Sequence, residues 1–247
     1  MAAAELAPYA ALVPIALAGA TVYGLTGFGS ALVTIPLASH FVPLPFAIAT
    51  FALIDFVNSL RVGLERPDQV VRGEFFRLAP GILAGVAIGV TVLVNLPRKA
   101  GMAALGVFVI AYALYALAMG PGGRPVRAAW GYVAGLAGGV TGTLFGAGGP
   151  PYAVYLSHRG LSKDQFRATI TMTILVSLVM RLVAFALIGL LWDARIWLAA
   201  AACIPAAMLG IALATRLFRR LSREAVARAV ALLLLVSGFS LVIRASA

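Results

Sequence analysis

The chain has 247 residues, of which 62% are hydrophobic and 11% charged. Soluble domains of this length are usually about one half apolar, so the composition predicts an integral membrane protein and excludes an ordinary soluble domain. The formal net charge of +11 comes from 19 basic residues, mostly arginines, against 8 acids. Because these arginines lie in short loops between apolar runs, as the positive-inside rule describes, the charge does not indicate nucleic-acid binding.

The first apolar run, from residue 10 to residue 41, is too long for one membrane span. A straight helix of this length would measure about 48 Å, whereas the hydrocarbon core of a bilayer is about 30 Å thick. Gly24, Gly27 and Gly29 interrupt the run within YGLTGFGS. The sequence therefore predicts two shorter helices folded into a hairpin at these glycines.

Three spans follow in the first half, at 45–62, 78–96 and 100–119, with an arginine-rich connection after the first. The sequence GPGGRP at 120–125 then interrupts the chain, because glycine and proline favour turns over helix. We predict a boundary here between two transmembrane domains, 1–122 and 123–247.

The second half starts with an apolar run at 128–156, broken by TGTLFGAGGPP at 141–151. Gly146, Gly148, Gly149 and the two following prolines cannot sustain a regular helix. At membrane depth, unwound backbone is tolerated only where it faces protein or a water-filled cavity, so this break is a candidate binding site. The alternative is an ordinary turn outside the membrane. Spans at 168–190, 196–215 and 226–243 complete the half.

Both halves thus have the order of a broken run followed by three spans. We predict an all-α polytopic membrane protein made of two repeats, each a glycine-broken helical hairpin followed by three transmembrane helices. The same amino acids recur at similar offsets in the two halves: Gly27 and Gly146, Phe46 and Phe166, Arg61 and Arg181, Pro80 and Pro205, Gly85 and Gly210.

Loop charges indicate how the broken runs cross the membrane. If each run turns back, the loops 61–77, 119–127, 157–167 and 216–228 lie on one side and hold most of the arginines and lysines. If each run crosses once, the basic residues divide almost evenly. The positive-inside rule favours the first arrangement, which places both termini outside the cytoplasm and inverts one half relative to the other. It leaves open whether each hairpin is re-entrant or a pair of full spans.

The glycine-broken segments GLTGFGSALVTIPL and GVTGTLFGAGGPPYAVYL, the paired halves and the chain length resemble the TauE/SafE family of membrane transporters. The resemblance implies transport of small sulfur-containing anions, such as sulfite or organosulfonates, across a bacterial inner membrane. Both termini would then be periplasmic. Substrate and direction differ among members of the family.

Polar residues inside the spans give a separate indication of function. Arg181 lies in the middle of 168–190, where a charge costs about 2.5–3.5 kcal/mol, so it is expected to face the protein interior. Thr169, Thr173 and Ser177 precede it at intervals of four and share its helical face. Guanidinium and hydroxyl donors suit an anion. The alternative is that Arg181 pairs with a buried carboxylate and only holds two helices together.

Asp55 is the acid inside a predicted span, with Asn58 and Ser59 on the same face. A carboxylate there could carry a proton during transport, or it could pair with Arg181 as a clamp or as a counter-ion displaced by substrate. The sequence leaves these roles open.

The sequence therefore predicts a secondary transporter of small anions that works by alternating access, with the bilayer and the anion as its partners and no cofactor or metal. Small carboxylates or other anions, a channel, and a homodimer stay open as alternatives. An intramembrane hydrolase using Ser30 with His40 or His158 is a remote alternative. The predicted substrate-binding residues are Thr26, Gly27, Gly29, Ser30, Thr143, Gly146, Gly148, Gly149, Thr173, Ser177 and Arg181, with Asp55 and Asn58 for proton coupling or an ion pair.

Overall fold

A computed structural model describes residues 9–63, 66–118, 125–217 and 223–246. These residues form α-helices and two short 3-10 helices, Pro67–Gln69 and Leu190–Trp192, and include no strand. The helices before residue 119 are α1 (Leu12–Thr26), α2 (Ser30–Ala38), α3 (Leu44–Gly63), α4 (Arg72–Asn95) and α5 (Arg98–Ala118). Those after residue 124 are α6 (Trp130–Phe145), α7 (Gly149–Ser157), α8 (Lys163–Leu187), α9 (Ala194–Leu217) and α10 (Arg223–Ser246). The predicted domain boundary at residue 122 lies outside the described residues.

Five of the described helices contain stretches long and apolar enough to cross a membrane. These stretches are Leu44–Arg61, Arg72–Asn95, Lys99–Ala118, Lys163–Leu187 and Ala194–Ala214. Helices α4 and α8 begin several residues before the predicted spans, at Arg72 and Lys163. Helix α4 therefore includes Glu74, which is only 5% exposed. The span predicted from the sequence begins at residue 78, which leaves this acid in the connection before it.

The first broken run folds back on itself. Helix α1 ends at Thr26 because Gly27 takes a left-handed conformation with φ 82°, and Gly29, with φ 90°, precedes α2. Glycine adopts such conformations without steric cost. The Thr34 side chain of α2 packs against Gly19 of α1, which requires the two helices to run back along each other. This is the helical hairpin predicted from the sequence.

The second broken run has the same form. Helix α6 ends where Gly146 takes a left-handed φ of 70°, and α7 begins at Gly149 with two prolines in its first turn, where a missing N–H is tolerated. The Tyr152 ring of α7 packs against Gly138 of α6. Helices α2 and α7 each have nine residues. At about 14 Å in length, neither can cross a hydrocarbon core of roughly 30 Å alone.

Glycines let the hairpins approach the long helices closely. A Cβ added to Gly85 of α4 would lie 2.9 Å from Cα of Gly139 in α6, and one added to Gly89 would lie 2.6 Å from Cβ of Thr143. Residue numbers rise in the same direction along both helices from one contact to the next, so α4 and α6 run parallel. Helices α1 and α9 pack in the same way, with Gly210 against the backbone of α1. Small residues at such positions are typical of helix packing in membranes.

The contacts between helices form equivalent pairs when the two halves are exchanged. Helix α4 packs on α6 as α9 packs on α1, and α4 contacts α8 as α9 contacts α3. Helices α3 and α8 contact each other, as do α5 and α10. Each hairpin therefore lies against the equivalent long helix of the other half, and α2 contacts α3 as α7 contacts α8.

Contacts between loops show which segments share an end of the molecule. Arg66, before α4, pairs with Asp164 at the start of α8, at 3.4 Å. At the opposite end, Arg244 of α10 contacts His40, which follows α2. This grouping is the one expected if each broken run turns back. The inverted relation of the halves stays a prediction.

Candidate functional site

The two breaks and the middle of α3 and α8 line a small cavity. Its volume is about 30 Å³, which is room for about two water molecules. Among the predicted site residues, the cavity brings together Gly29, Ser30, Asp55, Gly146, Gly148, Gly149, Ser177 and Arg181. Residues that the sequence analysis placed in separate helices therefore line one site.

The cavity lies at the N-terminal ends of both short helices. Gly29 is the N-cap of α2 and Gly148 the N-cap of α7, and neither helix has a side chain that caps its first N–H groups. In the described part of the chain, no hydrogen bond uses the N–H of Gly148 or Gly149. Free N–H groups at a helix start carry partial positive charge and attract anions. Both breaks thus present positive ends to one space.

Arg181 supplies the cation of the site. It lies in α8, six residues before the helix ends at Leu187, and is 3% exposed. One of its terminal nitrogens, Nη1, donates to the carbonyl oxygen of Gly142 in α6, and Gly142 packs against Gly148. Its Nε has no hydrogen-bond partner among the described residues. A buried donor without a partner is costly, so Arg181, which lines the cavity, keeps an unused donor.

Asp55 supplies the carboxylate. It is 6% exposed, and its Oδ1 accepts a hydrogen bond from Oγ of Ser30 at 2.6 Å. The partner anticipated from the sequence was Arg181, but no Asp55 oxygen lies within 4.0 Å of a guanidinium nitrogen of that residue. Asn58 lies one turn away, buried and outside the cavity lining, and its Nδ2 has no partner among the described residues. The two charges therefore share the cavity without touching.

Two tyrosines that the sequence analysis did not single out complete the polar lining. The hydroxyl of Tyr152 lies 3.2 Å from Oγ of Ser177, and that of Tyr23 lies 2.9 Å from Oγ of Ser59. Tyr152 directly follows the GGPP sequence. A tyrosine hydroxyl inside an apolar run next to a helix break was the signal that could have identified it.

Four predicted substrate-binding residues lie outside the lining: Thr26, Gly27, Thr143 and Thr173. Each of the three threonines donates its hydroxyl to the carbonyl oxygen four residues earlier in its own helix, at 2.7–2.9 Å. Such back-bonding is the usual way to satisfy a threonine hydroxyl in an apolar helix. Of the polar residues on this face of α8, only Ser177 and Arg181 line the cavity.

The histidines lie away from Ser30. His158 Nδ1 contacts the Val154 carbonyl oxygen at 2.8 Å, and His40 contacts Arg244. Ser30 instead donates to Asp55, so the described contacts give it no histidine base. The described residues also contain no group of three or more His, Cys, Asp or Glu side chains placed to hold a metal ion.

A polytopic helical protein whose broken hairpins enclose a buried charged cavity has the architecture of membrane transporters with discontinuous helices. The family model for the sulfite exporter TauE/SafE matches residues 12–241, nearly the whole chain, and the protein belongs to this family. Membership implies, at the level of the family, a membrane transporter for sulfite or related sulfur-containing anions. Comparison with curated proteins and with solved structures gives no match.

Proposed function

We propose that the protein is a secondary transporter of small sulfur-containing anions, such as sulfite or organosulfonates, and that it works by alternating access. The observation that carries this proposal is Arg181, a buried cation that has an unpaired Nε and lines a cavity between two helix N-termini. The family membership supports the same class of substrate.

The anion would bind between α7 and α8. The guanidinium of Arg181 presents planar donors that match two oxygens of a sulfite or sulfonate group. The N–H groups of Gly148 and Gly149 and the hydroxyls of Tyr152 and Ser177 add neutral donors around it. This combination neutralises the anion and leaves its apolar part, if it has one, to contact the surrounding apolar side chains.

The size of the cavity is the reason for proposing a conformational cycle. At about 30 Å³, it has room for about two water molecules, which is a narrow space for the four heavy atoms of sulfite. We propose that the hairpins separate from α3 and α8 to admit the anion. Opening to one side of the membrane at a time gives alternating access.

The proposed cycle uses two halves, 1–122 and 123–247, related by inverted topology. Its support is the set of equivalent helix contacts and the matched left-handed glycines, Gly27 and Gly146. We place the protein in the bacterial inner membrane with the linker between the halves in the cytoplasm and both termini in the periplasm. Small carboxylates are the alternative substrate class, because a carboxylate also offers two oxygens to a guanidinium.

Counterflow in proteoliposomes tests this function. Vesicles loaded with unlabelled sulfite are diluted into labelled sulfite, and the same is done with methanesulfonate and acetate. We expect transient accumulation of the labelled sulfur anion, which a carrier produces and a channel does not. Equilibration without overshoot indicates a pore, preferred accumulation of acetate indicates a carboxylate transporter, and absence of flux for all three anions contradicts the proposal.

A further inference from the structure

The cavity contains one charge of each sign. Among the described residues that line it, Arg181 is the cation and Asp55 the anion, and the other side chains are uncharged. With both ionised, the site as a whole is neutral. A neutral site is the favourable condition for charges buried within a membrane protein.

Only Asp55 and Arg181 set the charge of the site, because the other described groups around Asp55 are neutral or lie near helix ends. The titratable or charged side chains that line the cavity or lie buried on helices packed against α3 are Tyr23 of α1, Tyr152 of α7, Arg181 of α8 and Cys203 of α9. Tyrosine and cysteine are neutral near pH 7. Charged residues elsewhere on these helices lie near helix ends, such as Arg61, Lys99, Asp164, Arg167 and Arg195.

An anion that binds alone would disturb this neutrality. Because Asp55 and Arg181 line the same cavity, a monoanion on Arg181 would lie near the Asp55 carboxylate, and like charges repel strongly where water is excluded. If one proton binds Asp55 together with the anion, the loaded site contains a cation, an anion and a neutral carboxyl group. We propose that the protein loads one monovalent anion together with one proton, and that Asp55 carries the proton. This inference rests on the proposed transport function.

Ser30 connects the proton to anion binding. It is the first residue of α2, and its Oγ donates to Oδ1 of Asp55 at 2.6 Å. The ionised carboxylate thus lies at the positive end of α2, where it occupies a place that suits an anion. When a proton from the aqueous side that the anion enters binds Asp55, the carboxylate no longer competes with the anion for this place. Loss of the proton on the other side restores the carboxylate and repels the anion, so both leave together.

The same charge balance gives a selectivity. Sulfonates and hydrogen sulfite carry one negative charge, which one proton compensates. Sulfate carries two, so it would leave the loaded site with an uncompensated negative charge. We expect the site to reject sulfate although its oxygens resemble those of a sulfonate.

Methanesulfonate is the suitable probe because it stays a monoanion over the whole experimental pH range, whereas sulfite itself takes up a proton near neutrality. Proteoliposomes containing wild type, Asp55→Asn or Asp164→Asn receive a gradient of one pH unit, acid outside, with the membrane potential clamped. An internal pH dye records proton entry. Asp164 is an exposed carboxylate outside the cavity and serves as the matched control.

For wild type and Asp164→Asn, coupling of one proton to one anion predicts about tenfold accumulation of methanesulfonate, with internal acidification. Asp55→Asn keeps a polar group beside Ser30 but cannot bind and release a proton. It is therefore expected to show methanesulfonate counterflow without pH-driven accumulation. Excess sulfate outside leaves wild-type uptake unchanged. Accumulation by Asp55→Asn equal to wild type overturns the role of Asp55.

The wild type provides a decisive result even if Asp55→Asn fails to fold. Methanesulfonate counterflow without proton entry or pH-driven accumulation contradicts the proton inference and leaves the transport function intact. Strong competition by sulfate contradicts it equally. Absence of flux for methanesulfonate and sulfite in the wild type contradicts the proposed function itself.

Discussion

Gly148→Ala is expected to abolish most transport while the protein still folds. The backbone of Gly148 is right-handed, with φ −76° and ψ −19°, so alanine is conformationally allowed. Its Cβ, however, would lie 2.7 Å from the carbonyl oxygen of Gly138 and 3.3 Å from Cα of Gly142. A relaxed C···O contact is about 3.3 Å, so α6 and α7 must separate by about 0.6 Å. Overpacking of this kind costs about 1–3 kcal/mol.

This separation falls where the cavity is assembled. Gly142 holds Nη1 of Arg181 through its carbonyl oxygen, so moving α6 away from α7 moves the cation away from the N–H groups of α7. Displacement of binding groups by a fraction of an ångström is expected to lower transport at least about tenfold. The assays are thermal unfolding in detergent and methanesulfonate counterflow normalised to folded protein.

Two glycines provide matched controls. A Cβ on Gly106 would lie 2.8 Å from the Gly238 carbonyl oxygen, so Gly106→Ala overpacks the α5–α10 contact, and neither of these helices lines the cavity. It is expected to lose similar stability but to keep transport per folded protein. A Cβ on Gly73 meets only Arg77, at 4.0 Å, so Gly73→Ala should change stability by less than about 0.5 kcal/mol. Normal transport by a destabilised Gly148→Ala would refute the placement of the site.

Arg181→Lys keeps the charge but loses the planar fork of the guanidinium, so the apparent affinity for methanesulfonate is expected to fall about 10- to 100-fold. The measurement is the half-saturating concentration of methanesulfonate, and an unchanged value contradicts the prediction. Glu74→Gln removes the ion pairs with Arg77 at 2.8 Å and Arg159 at 2.9 Å. Because both arginines reach solvent, we expect the free energy of unfolding to fall by only about 1–3 kcal/mol, measured by thermal unfolding. An unchanged free energy would exclude a stabilising role for Glu74. Reporter fusions near residue 122 and after residue 247 should report opposite compartments, and the same compartment for both would rule out inverted halves.

Much of the fold could be predicted because glycine and proline act locally. The breaks at Gly27 and Gly146 appear where these residues end α1 and α6. Loop charges then favoured hairpins, because the positive-inside rule sums over whole loops and does not depend on side-chain packing. The start of α4 was placed too late, since Glu74 reads as a loop residue until Arg77, Arg159 and the hydroxyl of Tyr155 are known to surround it.

The site could be predicted only in part, because helical spacing shows which side chains share a face but not which partner each one meets. Thr173 and Ser177 lie on the face of Arg181, yet only Ser177 reaches the cavity, since the Thr173 hydroxyl is satisfied within α8. The pairing of Ser30 with Asp55 depends on how the first hairpin packs on α3. No sequence spacing contains that information.

The double variant Arg181→Gln with Asp55→Asn shows whether Arg181 binds the anion. Arg181→Gln alone leaves the Asp55 carboxylate buried without a cation and should destabilise the protein. Adding Asp55→Asn makes the cavity neutral again. Anion counterflow and thermal stability are measured for both variants in the same preparation. We predict that the double variant recovers stability and carries no methanesulfonate or sulfite, whereas recovery of both would show that Arg181 has only a structural role.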